Sequence, residues 1–173
     1  MIDIVIPDKE HQTAPFEALG KKLGYETVYV VGKNLRRDLI MNSAGVPEKT
    51  RHAIEKSPIH IFYNLEVHGE RDGTHQRKSG FNHVLAALAH DKEKMIAFNF
   101  NTILTAQGAA RGILLGRMRQ NVMLCRRYKV PMLLISGATN LYEMRAAHDM
   151  LAFGELIGMA AGEAKTALEQ KIA

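Results

Sequence analysis

The sequence predicts an α/β fold with a mainly parallel sheet, and three observations carry that prediction. Short runs rich in β-branched and aromatic residues recur along the whole chain, most of them bounded by Pro or Gly. Segments with helical apolar spacing lie between these runs. The runs themselves are apolar throughout rather than alternating, as strands covered on both faces are.

Taken in order, the first strand is expected over residues 2–6 and stops at Pro7. A helical pattern over 13–23 follows, then a strand over 27–31 ended by Gly32. Residues 34–43 and 47–56 both carry helical spacing. A strand over 59–63 follows Pro58, and the polar stretch EVHGERDGTHQRKSG, residues 66–80, reads as a long loop. A helix over 81–90, a strand over 95–100 and a long helix over 103–128 come next. Pro131 opens the last clear strand, 132–135, and helices over 140–153 and 160–171 close the chain. Strand, helix and strand at this spacing give right-handed βαβ units. Five strands are too few for a complete eight-stranded barrel, so an incomplete barrel and an open doubly wound sheet both fit the residues. The whole chain, 1–173, is expected to form one domain.

Composition narrows the function classes. An apolar fraction of 46% and a charged fraction of 24% are those of an ordinary globular protein. No run of about eighteen apolar residues suggests a membrane span, so no membrane partner is expected. The opening MIDIVIPDKE has neither a basic stretch nor a cleavable apolar one, which predicts no signal peptide. The single Cys125 falls in a predicted helix, so no disulfide is expected and a cytoplasmic location follows.

The net charge of +5 is unevenly spread. Between Glu93 and Glu143 there is no acidic residue, yet seven basic ones occur: Lys94, Arg111, Arg117, Arg119, Arg126, Arg127 and Lys129. Such asymmetry points to a polyanionic partner, with nucleic acid the first candidate and a solvated helix face the plain alternative. On a helical projection Leu114, Met118, Val122 and Cys125 share one stripe about 80° wide, the face expected against the sheet. Arg119 and Arg126 lie about 20° apart on its flank, where their stems can cover apolar surface and their heads stay wet. Arg127 and Lys129 close the helix at its negative dipole end.

Two places could take a phosphate. Gln76-Arg77-Lys78-Ser79-Gly80 precedes the helix at Phe81, with Ser79 as candidate cap and Arg77 and Lys78 beside the free N–H groups. A capped helix with two solvated bases explains the same residues. Ser136-Gly137-Ala138-Thr139-Asn140 lies at the carboxyl end of the last strand, with Arg145 shortly after it. A tight βα turn of small residues explains that segment equally well.

Three blocks now stand out: GFNHVLAALAHDKEKMIAFNF, LCRRYKVPMLLISGA and MRAAHDMLAFGELIGMAAGEAKTAL. In order and spacing, over about residues 77–168, they resemble the ribonuclease P protein component 3 family, the archaeal subunit and its eukaryotic thirty-kilodalton relative. The first seventy residues match only loosely. The resemblance implies a TIM-like (β/α) barrel of the polymerase-and-histidinol-phosphatase type, complete or trimmed. It also implies a non-catalytic subunit of ribonuclease P, the endoribonuclease that removes the 5′ leader from precursor tRNA. In that enzyme the RNA subunit performs the hydrolysis with bound Mg2+. The protein partners implied are a small second subunit and the other ribonuclease P proteins; precursor tRNA is met indirectly. Candidate RNA- or partner-binding residues are Arg77, Lys78, His83, Arg119, Arg126, Lys129, Arg145 and Lys165. Lys165 and His83 enter through the matching blocks.

A stand-alone metal-dependent phosphoesterase on the same barrel is the alternative. Such relatives use a His-x-His pair at the first strand, where this chain reads Ile2-Asp3-Ile4, and no His-x-His occurs anywhere. His60, His68, His75, His83 and His90 are seven or eight residues apart and do not form a ligand set. No metal or other cofactor is therefore expected on this chain, and no catalytic residue. A purely protein-binding scaffold is the third possibility.

Overall fold

The computed structural model describes residues 1–8, 13–69, 71–73 and 77–172; His75 and Gln76 lie outside them. Among the described residues six strands are formed: β1 (Ile2–Val5), β2 (Thr27–Val30), β3 (Ile40–Asn42), β4 (Ile61–Tyr63), β5 (Met95–Asn99) and β6 (Met132–Ile135). All ladders are parallel and fall into two sheets, β1–β2 and β3–β4–β5–β6. Two backbone hydrogen bonds bring β6 beside β1: Ile6 N donates to the Ala138 carbonyl at 2.9 Å, and Gly137 N to the Ile4 carbonyl at 3.0 Å. The strands therefore run β2–β1–β6–β5–β4–β3, and no ladder joins β2 to β3 among the described residues. The result is an incomplete TIM-like barrel.

Helices α1 (Thr13–Lys22), α2 (Pro47–Lys56), α3 (His83–Asp91), α4 (Phe100–Thr105), α5 (Gly108–Tyr128), α6 (Ala147–Leu156) and α7 (Ala161–Glu169) complete the structure. Alternate strand residues serve two apolar layers. Ile4, Ile40, Ile61, Tyr63, Ala97, Leu133 and Ile135 meet inside the barrel. Val5, Val28, Val30, Phe62, Ile96, Phe98 and Leu134 face outward and pack on helix residues such as Phe16, Ile54, Met118, Val122 and Met150. Burial on both sides is why the strand sequences do not alternate.

Three expected helices differ from the sequence reading. Residues 34–43 form one 3-10 turn, Arg37–Leu39, and strand β3. Their apolar residues mimic a helical period, but Leu35 and Ile40 both point into the barrel. The helix expected over 103–128 is two, because Ala106 and Gln107 are extended and Gly108 has φ +52°. After β6 a 3-10 turn, Leu141–Glu143, is followed by extended residues before α6 starts at Ala147. On α5 the expected apolar face is present: Met118, Val122 and Cys125 are buried, and Leu114 packs against them.

The seam between the two sheets is held by a side chain. Buried Asp3 accepts from Ile4 N at 2.8 Å and Ser136 N at 2.7 Å on one oxygen, and from Ser136 Oγ at 2.6 Å on the other. Burial pushes its carboxyl up to about 6 in spite of these donors. Gly137, at φ +57°, is required next to it, since a Cβ there would lie 2.0 Å from Asn99 Oδ1. A second buried carboxyl, Glu66, has no partner for Oε1, and burial pushes it up to about 7.

Two predictions follow from the seam. Ser136→Ala removes a buried hydrogen bond and should cost about 1–3 kcal/mol in urea unfolding. The raised carboxyls of Asp3 and Glu66 bind protons more tightly in the folded chain than in the unfolded one. Their contribution is present below ordinary carboxylate values and lost as pH rises through about 6 and 7. The unfolding free energy should thus rise by roughly 2–4 kcal/mol between pH 8 and pH 5. Flat stability across that range would contradict the burial of both groups.

Candidate nucleic-acid interface

The polar loop is fixed to α5 by one buried cation. Arg117 is 3% exposed. Its Nε donates to Asp72 Oδ1 at 2.8 Å, and its Nη1 to the carbonyls of Glu66 at 3.1 Å and His68 at 2.9 Å. The same carboxylate accepts from Lys78 N at 2.8 Å and pairs with Arg77 at 3.4 Å. Partial desolvation works upward on Asp72, but these donors hold it below the usual carboxylate range. Gln120 adds a reciprocal pair, accepting from Arg77 N at 3.2 Å and donating to the Arg77 carbonyl at 3.1 Å. Gly116 lets the Arg77 guanidinium lie across α5, since a Cβ there would sit 2.3 Å from it.

This docking creates a groove of about 760 Å³ between the loop, α5 and the end of α6. Arg77 and Arg119 both line it, with Gln120, Gly112, Met123 and Leu156. Arg126 and Lys129 line a second groove of about 450 Å³ whose far wall is α7. Arg126 is engaged there: it pairs with Glu163 through Nε at 2.8 Å and Nη2 at 2.6 Å, and Nη2 also donates to the Gly158 carbonyl. Its hydrogen bonding to the Glu163 carboxylate is the main cause holding Glu163 below its ordinary value. Lys129 is exposed and takes the left-handed conformation that ends α5, at φ +56°. Lys165 is exposed on α7 and His83 is exposed at the first position of α3. Lys78 lines a third depression, of about 370 Å³, with Arg51 and His68. Arg145 stands apart from all of these, on the turn after β6, with Nη1 on the carbonyls of Tyr142 and Met144 and its guanidinium 5.4 Å from the Phe100 ring.

The basic segment is thus divided in use. Arg117 and Lys94 are internal, the latter donating to the Ser57 carbonyl at 3.1 Å with its ammonium held below the usual value by desolvation. Arg111 bonds the Ala106 carbonyl, while Arg119, Arg127 and Lys129 keep exposed side chains. Several backbone N–H groups of the two candidate phosphate segments are already used within the chain. Asn82, not Ser79, caps α3, accepting from Leu85 N at 3.0 Å; Lys78 N is spent on Asp72 and Gly80 N on the Leu65 carbonyl. In the second segment, Ser136 N is spent on Asp3, Gly137 N on Ile4, Ala138 N on Ser136 Oγ and Thr139 N on Glu143.

The barrel mouth, where metal-dependent barrels keep their ligands, carries amides. Asn64 donates to Asn42 Oδ1 at 3.2 Å and accepts from Asn99 at 3.1 Å and Thr102 at 2.7 Å. Asn101 continues the chain to the Gly137 carbonyl and Glu143. Most of these groups bond one another, though Asn101 Oδ1 is buried without a partner, and amides offer neither a base nor a nucleophile. Among the described residues no cluster of three His, Cys, Asp or Glu side chains could hold a metal ion. Burial raises the Cys125 thiol, as for an inert core residue. Among them, too, no helix is long and apolar enough to cross a membrane.

Fold and site together define a parallel α/β barrel whose outer helices α5 and α7 carry exposed cations. A chain in the cryo-EM structure of archaeal ribonuclease P with mature tRNA has the same fold, with a TM-score of 0.66 and 23% identity over 97% of this chain and 78% of that one. The family model for RNase P subunit p30 matches residues 71–173, and the chain belongs to that family. The ribonuclease P protein component 3 of Methanococcoides burtonii is 38% identical over 142 residues, 82% of this chain and 56% of that protein. The same component of Methanocaldococcus jannaschii is 32% identical over 115 residues, 66% and 47% respectively. That of Methanosarcina barkeri is 34% identical over 198 residues, covering 94% of this chain and 82% of the relative. The chain spans about half the length of the first two.

Asp72→Ala should release the loop and leave Arg117 buried without its carboxylate. The expected cost is about 2–4 kcal/mol, with faster tryptic cleavage after Arg77 and Lys78. A variant as stable and as resistant as the wild type would show that the pair does not hold the loop.

Proposed function

We propose that this chain is a non-catalytic protein subunit of ribonuclease P, binding the catalytic RNA and steadying it during removal of the 5′ leader from precursor tRNA. One observation carries this reading. The residues matched to the family include α5 and α7, whose outer faces carry the exposed cations Arg119, Arg127 and Lys165 with Lys129 at the end of α5, while the mouth of the same barrel is lined by amides. The RNA supplies the hydrolysis together with its Mg2+; this chain supplies charge and shape. Its partners are the ribonuclease P RNA, a small second protein subunit and the remaining ribonuclease P proteins, with precursor tRNA met through the assembly. The location is the cytoplasm.

Lys129 and Lys165, near the shared wall of α5 and α7, are assigned to RNA phosphates, with Arg126 beside them once Glu163 gives way. Lys78, His83 and Arg145 are further contacts to RNA or to a partner protein. Each neutralised phosphate releases counterions, so binding weakens with salt in proportion to the contacts made. In an assembly of transcribed RNA and purified subunits, the wild-type chain should lower the Mg2+ needed for leader removal. Lys129→Gln with Lys165→Gln should reduce the slope of log affinity against log salt by about two, with an unchanged unfolding midpoint. An unchanged slope would remove those two positions from the interface. Phosphoester hydrolysis by the lone chain with manganese and no RNA would instead favour a metal-dependent phosphoesterase.

A further inference from the structure

We propose that the groove along α5 seats an α-helix of a protein partner, one with an apolar face flanked by acidic residues. This rests on the subunit reading above, because the partner is sought among the other proteins of the assembly.

The floor of the groove is apolar and uncovered. Met123 and Leu156 are 63% and 59% exposed, and both line it together with Leu115. Ile113, on the same helix, is 43% exposed. Large apolar side chains gathered on one rigid concavity mark a protein contact, and Met is enriched in such contacts. The glycine positions leave room for a second backbone: a Cβ at Gly112 would meet nothing within 4 Å. The rim is positive. Arg119 makes no hydrogen bond or ion pair among the described residues, and Arg77 shares Asp72 with Arg117. Two rim arginines against one carboxylate already committed to a buried cation call for acid on the occupant.

RNA fits the same groove less well. Among the described residues no aromatic side chain lines it for stacking a base, and its floor offers Met and Leu where phosphate and sugar need donors. The walls are also preformed, since Arg117, Asp72 and Gln120 lock the loop before anything binds, which favours a rigid helix as ligand.

The test uses the full chain and each other protein subunit of the same organism's ribonuclease P, purified alone and titrated by calorimetry. Gly112→Leu fills the floor while raising helix propensity, so the variant folds. One subunit should bind the wild-type chain, and Gly112→Leu should weaken that binding by at least about tenfold. Arg119→Glu should weaken it too, more so at low salt. Affinity of Gly112→Leu for the ribonuclease P RNA should stay within about twofold. Unchanged subunit binding with lost RNA affinity would make the groove an RNA surface and overturn the proposal. So would no effect on either ligand, or a change in the oligomeric state of the chain alone, which would assign the groove to a second copy. If no subunit binds the wild-type chain the proposal also falls; leader removal that still depends on the chain would then leave the subunit reading standing.

Discussion

The buried guanidinium of Arg117 is the constraint on which the outer face depends. It lies on α5 but is spent on Asp72 and two loop carbonyls some fifty residues earlier in the chain. A buried cation of this kind must be paired and saturated, and the loop supplies all that it needs. Once the loop is held, Gln120 can pair with the Arg77 backbone and Gly116 can receive the Arg77 side chain. The groove, its positive rim and the orientation of Lys78 are consequences of that one anchor. A more exposed arginine at position 117 would add to the surface charge and leave the loop unattached.

The two ends of the molecule have separate tasks. At the seam and mouth, polar groups turn inward: Asp3 binds Ser136, Gly137 makes room for Asn99, and Asn42, Asn64 and Asn99 bond one another. The Asp3–Ser136 pair joins β1 to β6, which share no continuous ladder, while the amides bond across the neighbouring ends of β3, β4 and β5. On the outer helices the reverse holds. Arg119, Arg127, Lys129 and Lys165 remain exposed, and apolar residues of α5 and α6 stay uncovered. In the proposed reading the barrel is a structural support, and recognition belongs to its helices.

Much of this was legible in the sequence, and the failures have physical causes. The strands of the parallel sheet were visible because double-sided burial demands continuous apolar runs, and the α5 stripe because one helix face meets the sheet. Strand β3 was missed since three residues are too few to show a period, and Leu35, Leu39 and Ile40 imitate a helix. The amide mouth had a signal: the segments LIMN, IFYN and AFN all end in asparagine at a strand terminus. The acid-free stretch correctly marked a basic region, but charge alone does not say which way a side chain points. Arg117 and Lys94 went inside, and Arg126 found Glu163, through contacts 37 residues or more apart that no local pattern encodes.

We propose that recognition lies on the outer helices and not in the barrel mouth. Amide hydrogen exchange of this chain, free and within the assembled ribonuclease P particle, tests it most directly. Exchange should slow on assembly in residues 77–80, α5 and α7, with residues 42–44, 64 and 99–102 unchanged. Protection concentrated at the mouth, with α5 exchanging as in the free chain, would contradict it.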